Sequence, residues 1–147
     1  MSFVGRVALV TGAGKGIGEA IARALAAEKI KVGVNALHKE TAAAVAKEIT
    51  DTGGEAIAIP GNVAEQNTVN TMVAKLAQAF GPVDILVNNA AAMAEMIPFE
   101  KTTTKEQEDE LVTLIGAFNC TRSVLPSMID RRNGRIINIS SVSGRYG

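Results

Sequence analysis

The residues with the clearest chemical content are Thr11-Gly12-Ala13-Gly14-Lys15-Gly16-Ile17-Gly18. They follow a short apolar run, Arg6–Val10, and lead into a stretch with helical spacing at Ile17, Ile21, Ala24 and Leu25. Glycine at alternate positions allows a tight turn and close approach of the backbone to a ligand. A helix beginning there aims its free N–H groups and the positive end of its dipole at an anion. The chemistry implied is a cradle for a pyrophosphate. Two common phosphate patterns do not fit. G-x-G-x-x-G fails because Ile17 stands at the third glycine position, and the P-loop fails because no Ser or Thr follows Lys15. The pattern that holds is Thr-Gly-x-x-x-Gly-x-Gly, on Thr11, Gly12, Gly16 and Gly18.

The elements around this turn must position it. Short β-branched runs recur at Arg6–Val10, Ile30–Val34, Ala56–Ile59, Ile85–Val87 and Arg135–Ile139. They are nearly continuous in hydrophobicity, as strands buried on both faces are. Segments with helical spacing alternate with them: Ile17 to Glu28, Thr41 to Ile49, and Val69 to Phe80. The longest runs through Leu111, Leu114, Ile115, Phe118, Leu125, Met128 and Ile129. Strand and helix in alternation predict the α/β class: βαβ units in a doubly wound parallel sheet with helices on both faces. Gly53-Gly54, Gly81-Pro82 and Asn133-Gly134 are placed as stops of the second, third and fourth helices. Thr104 and Gln107 have the spacing of a capping box, and Pro126 is expected to kink the last helix. In that helix Leu111, Ile115, Phe118 and Leu125 are expected to face the sheet, with Val112, Val124 and Met128 off that face.

Composition narrows the function classes. The chain has 147 residues and equal numbers of basic and acidic side chains, 15 each. A balanced chain has no bulk attraction for nucleic acid or an acidic membrane face. Aromatics are 3% with no Trp, so a base-stacking platform is not expected. No apolar run has the length of a membrane span, and the first residues lack the pattern of a signal peptide. The expectation is a cytoplasmic protein with no nucleic-acid or membrane partner. The single cysteine, Cys120, excludes an internal disulfide, offers no thiol cluster for a metal, and is expected to be a packed small hydrophobe. His38 is expected to be solvated, and Arg131-Arg132 to be surface charge complementing a helix dipole.

Three further motifs stand in order along the chain. Asn62-Val63 follows the third apolar run, Asn88-Asn89-Ala90-Ala91 the fourth, and the fifth leads into Ser140-Ser141. With the glycine turn they resemble the short-chain dehydrogenase/reductase family, over nearly the whole chain. The resemblance implies a Rossmann sheet that binds a nicotinamide dinucleotide and moves a hydride between it and a carbonyl or secondary alcohol. It implies cofactor contacts from Thr11, Gly12, Gly14, Lys15, Gly16, Ile17, Gly18, Asn35, His38, Asn62, Val63, Asn89, Ala90 and Ala91. Asn62 stands for the family's aspartate at adenine and keeps an acceptor oxygen; Ala91 stands for a glycine. The catalytic serine maps to Ser141, with Ser140 as the alternative. The family's relay asparagine, three residues before Gly116, is Thr113 here. Threonine can hold a water through its hydroxyl but lacks an amide's donor–acceptor pair. No metal ligand is implied.

NADP(H) is expected over NAD(H). An NAD site usually has an acid about 20 residues beyond the glycine turn. Here Val34-Asn35-Ala36-Leu37-His38-Lys39 supplies none, whereas Lys15, His38 and Lys39 could meet a ribose phosphate. The family's Tyr-x-x-x-Lys pair is absent from these residues, and Tyr146 has no lysine four positions on. The chain is therefore expected to be one nucleotide-binding domain, 1–147, whose family domain continues past its last residue. Otherwise the sheet would end on the apolar Ile136-Ile137-Asn138-Ile139 edge. Two functions stay open: an NADP-dependent oxidoreductase, and a non-catalytic dinucleotide-binding module. The family pairs long helices across a two-fold axis, so a homodimer or homotetramer using the fourth helix is expected. Met93, Met96 and Phe99 lie where a substrate pocket wall would begin, although plain packing explains them equally.

Overall fold

A computed structural model describes residues 3–92 and 98–141. Five strands are described: β1 Val7–Val10, β2 Lys31–Val34, β3 Ala56–Ala58, β4 Ile85–Asn88 and β5 Arg135–Asn138. Four α-helices separate them: α1 Gly16–Ala27, α2 Lys39–Asp51, α3 Gln66–Phe80 and α4 Thr104–Asp130. A single 3₁₀ turn, Phe99–Lys101, precedes α4. The strands form one parallel sheet in the order β3-β2-β1-β4-β5. The chain works outward from β1 to β3, returns to place β4 on the other side of β1, and goes on to β5. Ligand sites of such sheets lie beyond the carboxyl ends of the strands where the order reverses, which here is between β1 and β4.

All residues of β1 and β4 are buried, which explains their unbroken apolar sequence. Successive side chains go to opposite faces. Ala8 and Val10 join Val32 and Val34 against α1 and α2, where Ala22, Ala26, Val45 and Ile49 pack. Val7, Leu9 and Leu86 meet α3 and α4 through Val69, Met72, Leu76, Cys120, Val124 and Met128. Gly33 of β2 is needed for this second layer, since a Cβ there would stand 2.6 Å from Leu76 Cδ2.

Three expectations are corrected. First, the face of α4 is the reverse of the one its large residues suggest. Val124 and Met128 are buried, whereas Phe118 is 60% exposed and Leu111, Leu114, Ile115, Leu125 and Ile129 are exposed with it. Small residues decide the contact: Gly116 packs so closely that a Cβ would come within 2.5 Å of Val63 Cγ2, and Cys120 is fully buried. Second, the left-handed residue that ends α4 is Arg132 (φ 50) and not a residue of Asn133-Gly134. Third, Arg131 is an anchor and not free surface charge. Its guanidinium bonds Asp84 Oδ1 at 2.6 Å and the Val83 carbonyl at 2.8 Å. Helices α2 and α3 begin earlier than the apolar period suggested, because their first turns are polar. On the outer strand β5, Ile137 is 45% exposed.

Candidate dinucleotide site at the carboxyl edge of the sheet

Apart from Gly16, Ile17 and Gly18 in the first turn of α1 and Thr113 on α4, the expected site residues come from the loops that leave the carboxyl ends of the five strands. Thr11 follows β1, and its hydroxyl ties that loop to the one after β4. It accepts the backbone N–H groups of Asn89 and Ala90, each at 3.0 Å, and donates to the Val87 carbonyl at 3.3 Å. The Asn89 amide completes the tie by donating to the carbonyls of Thr11 at 3.0 Å and Gly12 at 3.2 Å. Asn89 thus acts on the turn itself, as a brace under it.

Two glycines are required by this packing. Gly12 has φ +62, and a Cβ there would lie 2.7 Å from Ala90 Cα. A Cβ on Gly18 would lie 2.4 Å from Asn89 Nδ2. Gly16 also has φ +62 but meets nothing within 4 Å, so its surroundings are open. Lys15, Gly16 and Ile17 are exposed at the start of α1. Lys15 is extended, gives α1 no side-chain cap, and makes no ion pair among the described residues. The first N–H groups of a helix have no intrahelical acceptor. The one acidic residue in the first turn, Glu19, is bridged by Arg23 at 2.7 Å, which offsets its repulsion of an anion. Arg23 also pairs with Glu48, and those two carboxylates hold its guanidinium above its ordinary pKa. A glycine cradle, open N–H groups and an exposed lysine fit the pyrophosphate and a further phosphate of a dinucleotide.

Asn35 and His38 follow β2. The Asn35 side chain is 1% exposed and turned inward to the turn and to the loop after β3. His38 is exposed and caps the start of α2, with no cap bond from its side chain. Its carbonyl accepts Thr41 Oγ1 at 2.9 Å. Gly14 lies against this corner, since a Cβ there would be 2.8 Å from Thr41 Oγ1. After β3, Asn62 Oδ1 accepts the Ala64 N–H at 3.0 Å and its amide donates to Glu65 Oε1 at 3.2 Å. Val63 is buried under α4, and Asn119 Nδ2 donates to its carbonyl at 3.0 Å. The Val63 side chain is therefore closed to a ligand and its carbonyl is already engaged, which leaves its N–H as the group able to meet one.

After β4, Ala90 is half-buried and Ala91 exposed. Thr113, on α4, accepts the Ala92 N–H through its hydroxyl at 3.1 Å. Ser140 and Ser141 lie just past β5 and are exposed; the Ile139 N–H pairs with the Asn88 carbonyl at 2.9 Å to carry that loop onward from the sheet. Met93, Met96 and Tyr146 lie outside the described residues. Burial pushes the Cys120 thiol up to about 12. Among the described residues no group of three His, Cys, Asp or Glu could hold a metal ion, and no helix is long and apolar enough to cross a membrane. A groove of about 650 Å³ runs between α2 and α3 beside β3, but none of the expected site residues lines it.

Residue pattern alone did not mark Asn119, Gly116 or the bracing role of Thr11. A glycine inside a helix was the available signal for Gly116, since it weakens the helix and so asks for a packing reason.

Residues 6–147 match the short chain dehydrogenase family. The chain belongs to that family. It is 42% identical over 147 residues to a 3-oxoacyl-[acyl-carrier-protein] reductase of Synechocystis sp., covering 99% of this chain and 60% of the relative. It is 44% identical over 144 residues to the 3-oxoacyl-[acyl-carrier-protein] reductase FabG of Staphylococcus epidermidis, covering 95% of this chain and 58% of the relative. The solved structure of a metagenomic short-chain oxidoreductase in complex with NADP superposes with a TM-score of 0.90 at 34% identity, covering 98% of this chain and 66% of that one. The chain thus spans about 60% of the length of the curated relatives it matches. For a short-chain dehydrogenase, the Rossmann order and the glycine turn are the expected frame.

Proposed function

We propose that this is the cofactor half of an NADP(H)-dependent oxidoreductase acting on a carbonyl or secondary alcohol. The observation that carries the reading is the open turn at the start of α1, with Lys15 exposed beside it and no acidic residue from Asn35 to Lys39. Backbone N–H groups from Gly14 to Gly18 would hold the pyrophosphate, braced from below by Thr11 and Asn89. Lys15, with His38 at the head of α2, would take the ribose 2′-phosphate. Asn62 and the Val63 backbone would receive adenine, with Ala90 and Ala91 beside the ribose. The bound nicotinamide supplies a hydride donor or acceptor. Ser141 would donate a hydrogen bond to the substrate oxygen.

A tyrosine of ordinary pKa near 10 is a poor base at neutral pH unless a cation stabilises its phenolate. The family places such a pair in Tyr-x-x-x-Lys, which these residues do not contain. One observation favours the second reading, a binding module without turnover: the Thr113 hydroxyl is engaged by Ala92 at the relay position. We place the oxidoreductase first because the serine, the asparagine pair and the turn stand together. The names of the two relatives make a 3-oxoacyl thioester the first substrate to assay. The exposed apolar stripe of α4 supports a two-fold oligomer, and the composition supports a cytoplasmic protein.

Calorimetric titration with NADPH and NADH tests the reading. NADPH should bind more tightly, and Lys15→Ala should weaken it about tenfold, the worth of one charge-assisted phosphate contact. Tighter NADH binding, or a Lys15→Ala protein with unchanged NADPH affinity, would overturn the NADP preference. Reduction of a 3-oxoacyl thioester by the intact protein would support the oxidoreductase; NADPH binding without turnover of any carbonyl would favour the module.

A further inference from the structure

Asn35 has the expected position of a cofactor contact but the geometry of a clamp. Its side chain is 1% exposed. Both amide hydrogens have carbonyl acceptors beyond the end of β3, Ile59 at 2.9 Å and Gly61 at 3.1 Å. Its Oδ1 accepts the Gly12 N–H at 3.3 Å. Its backbone carbonyl accepts the Ala13 N–H at 2.6 Å, and its own N–H donates to the Val10 carbonyl at 3.0 Å. From below, Met72 Sδ lies 3.6 Å from the amide nitrogen. One side chain therefore joins the glycine turn after β1 to the loop after β3, from the end of the strand between them.

Two consequences follow for a ligand. The N–H groups of Gly12 and Ala13 point into the protein, toward Asn35, and are not available to a phosphate. The turn must then offer the N–H groups from Gly14 onward, and Asn35 sets that orientation. Next, Gly61 is the residue before Asn62. Holding the Gly61 carbonyl fixes where the adenine loop starts relative to the turn. A dinucleotide must touch both loops at once. A rigid spacing between them lowers the ordering cost of binding.

We propose that Asn35 is a positioning residue that sets the distance between the pyrophosphate turn and the adenine loop, and that it touches no part of the cofactor. The proposal rests on the cofactor reading above. Replacing Asn35 by serine removes the reach to Ile59 and Gly61 and leaves buried carbonyls without a donor. The loss should fall on ligands that span both loops and spare those that occupy one.

The test compares adenosine 2′,5′-bisphosphate, which carries phosphates toward the turn, with adenosine, which fills the adenine loop alone. Both are titrated into the wild-type and Asn35→Ser proteins well below the melting temperature. The bisphosphate should bind Asn35→Ser about tenfold more weakly, and adenosine should bind both proteins within about twofold. Equal losses for the two ligands, or none for the bisphosphate, would overturn the clamp while leaving the cofactor reading intact. A wild-type protein that binds neither NADPH nor the bisphosphate would overturn the cofactor reading and the clamp's role with it. Should Asn35→Ser not fold, hydrogen exchange on the wild type decides. The bisphosphate, which spans both loops, should slow exchange at the Gly12 amide, a group turned toward Asn35 and away from the ligand, and adenosine should leave it nearly unchanged; an unchanged Gly12 rate with the bisphosphate would overturn the coupling.

Discussion

The hydroxyl of Thr113 receives the backbone N–H of Ala92 at 3.1 Å, joining α4 to the loop that leaves β4. The two residues are 21 positions apart in sequence. Where the family carries an asparagine, this chain keeps a side-chain acceptor for the loop and gives up the amide. Thr113→Val keeps the shape and removes the acceptor. It should cost about 1–2 kcal/mol, because the Ala92 N–H is left half-buried without a partner. Thr113→Ser should cost less, since its hydroxyl can accept the same bond. Thermal melts of the three proteins check this, and a Val variant as stable as the wild type would refute it.

At the opposite end of the sheet, Asp84 closes a second network. Its Oδ2 accepts the Val7 N–H at 3.0 Å, and its Oδ1 accepts Arg131 at 2.6 Å and Asn133 Nδ2 at 2.9 Å. Asp84 is 9% exposed, so these bonds act in a poorly solvated setting. Asp84→Asn turns an acceptor into a donor that faces donors and leaves Arg131 without its counter-charge. The expected loss is about 2–3 kcal/mol, against roughly 1 kcal/mol for Arg131→Met, whose side chain is the more exposed of the two. Denaturant melts read the difference. Equal losses would show that the ion pair, and not the hydrogen bonds to Asp84, dominates.

This network also shows where sequence reasoning stops. The five strands and four helices were legible because each carries a regular apolar pattern, even where, as on β5, the residues are largely exposed. The glycine turn was legible because phosphate chemistry restricts residue types locally. Asp84 and Arg131 are 47 positions apart, and no local pattern pairs them. The face of α4 was misjudged for a related reason. Periodicity weighs large apolar residues, whereas Gly116 and Cys120 let the helix settle against Val63 and the sheet. Asn35 was placed correctly at the end of β2, but the direction of its side chain depends on Ile59 and Gly61 from another strand.

Cys120 should be chemically silent in the folded state. It is fully buried on α4, and desolvation of the thiolate raises its pKa from the ordinary 9.0 to about 12. The folded protein then holds this proton where the unfolded chain releases it. Its contribution to stability is complete below about pH 9 and is lost as pH climbs from there toward 12. Iodoacetamide at pH 8 should label the unfolded chain and not the native one. Cys120→Ser should flatten the alkaline loss of stability. Rapid native labelling would contradict the burial.

Lys29 ends α1 in a left-handed conformation, φ 62, which a side chain adopts at a cost. Its N–H bonds the Ala26 carbonyl at 3.0 Å, and the next N–H, of Ile30, returns to Leu25 at 3.2 Å. This is the geometry in which glycine is preferred. Lys29→Gly should therefore stabilise the protein by about 0.5–1 kcal/mol, a melting-temperature rise of roughly 2–4 °C for a chain of this size. Lys29→Ala keeps the strain and should give no gain. A glycine variant no more stable than the alanine one would show that the left-handed cap carries no strain.

The exposed stripe of α4 gives the last prediction. Leu114, Phe118 and Ile129 are each more than half exposed, and Leu111, Ile115 and Leu125 extend the same surface. Contiguous exposed apolar surface of this kind marks an interaction site. A copy of the same chain related by a two-fold axis would cover one stripe with the other, as in most soluble oligomers. Phe118→Glu adds charge at the middle of the stripe without touching the core. Light scattering should show a dimer or tetramer for the intact wild-type protein and a smaller species for Phe118→Glu at the same micromolar concentration. The secondary structure of the variant should not change. Val124→Glu, on the buried face, should instead unfold the protein. A wild-type monomer, or an oligomer indifferent to Phe118→Glu, would refute the interface.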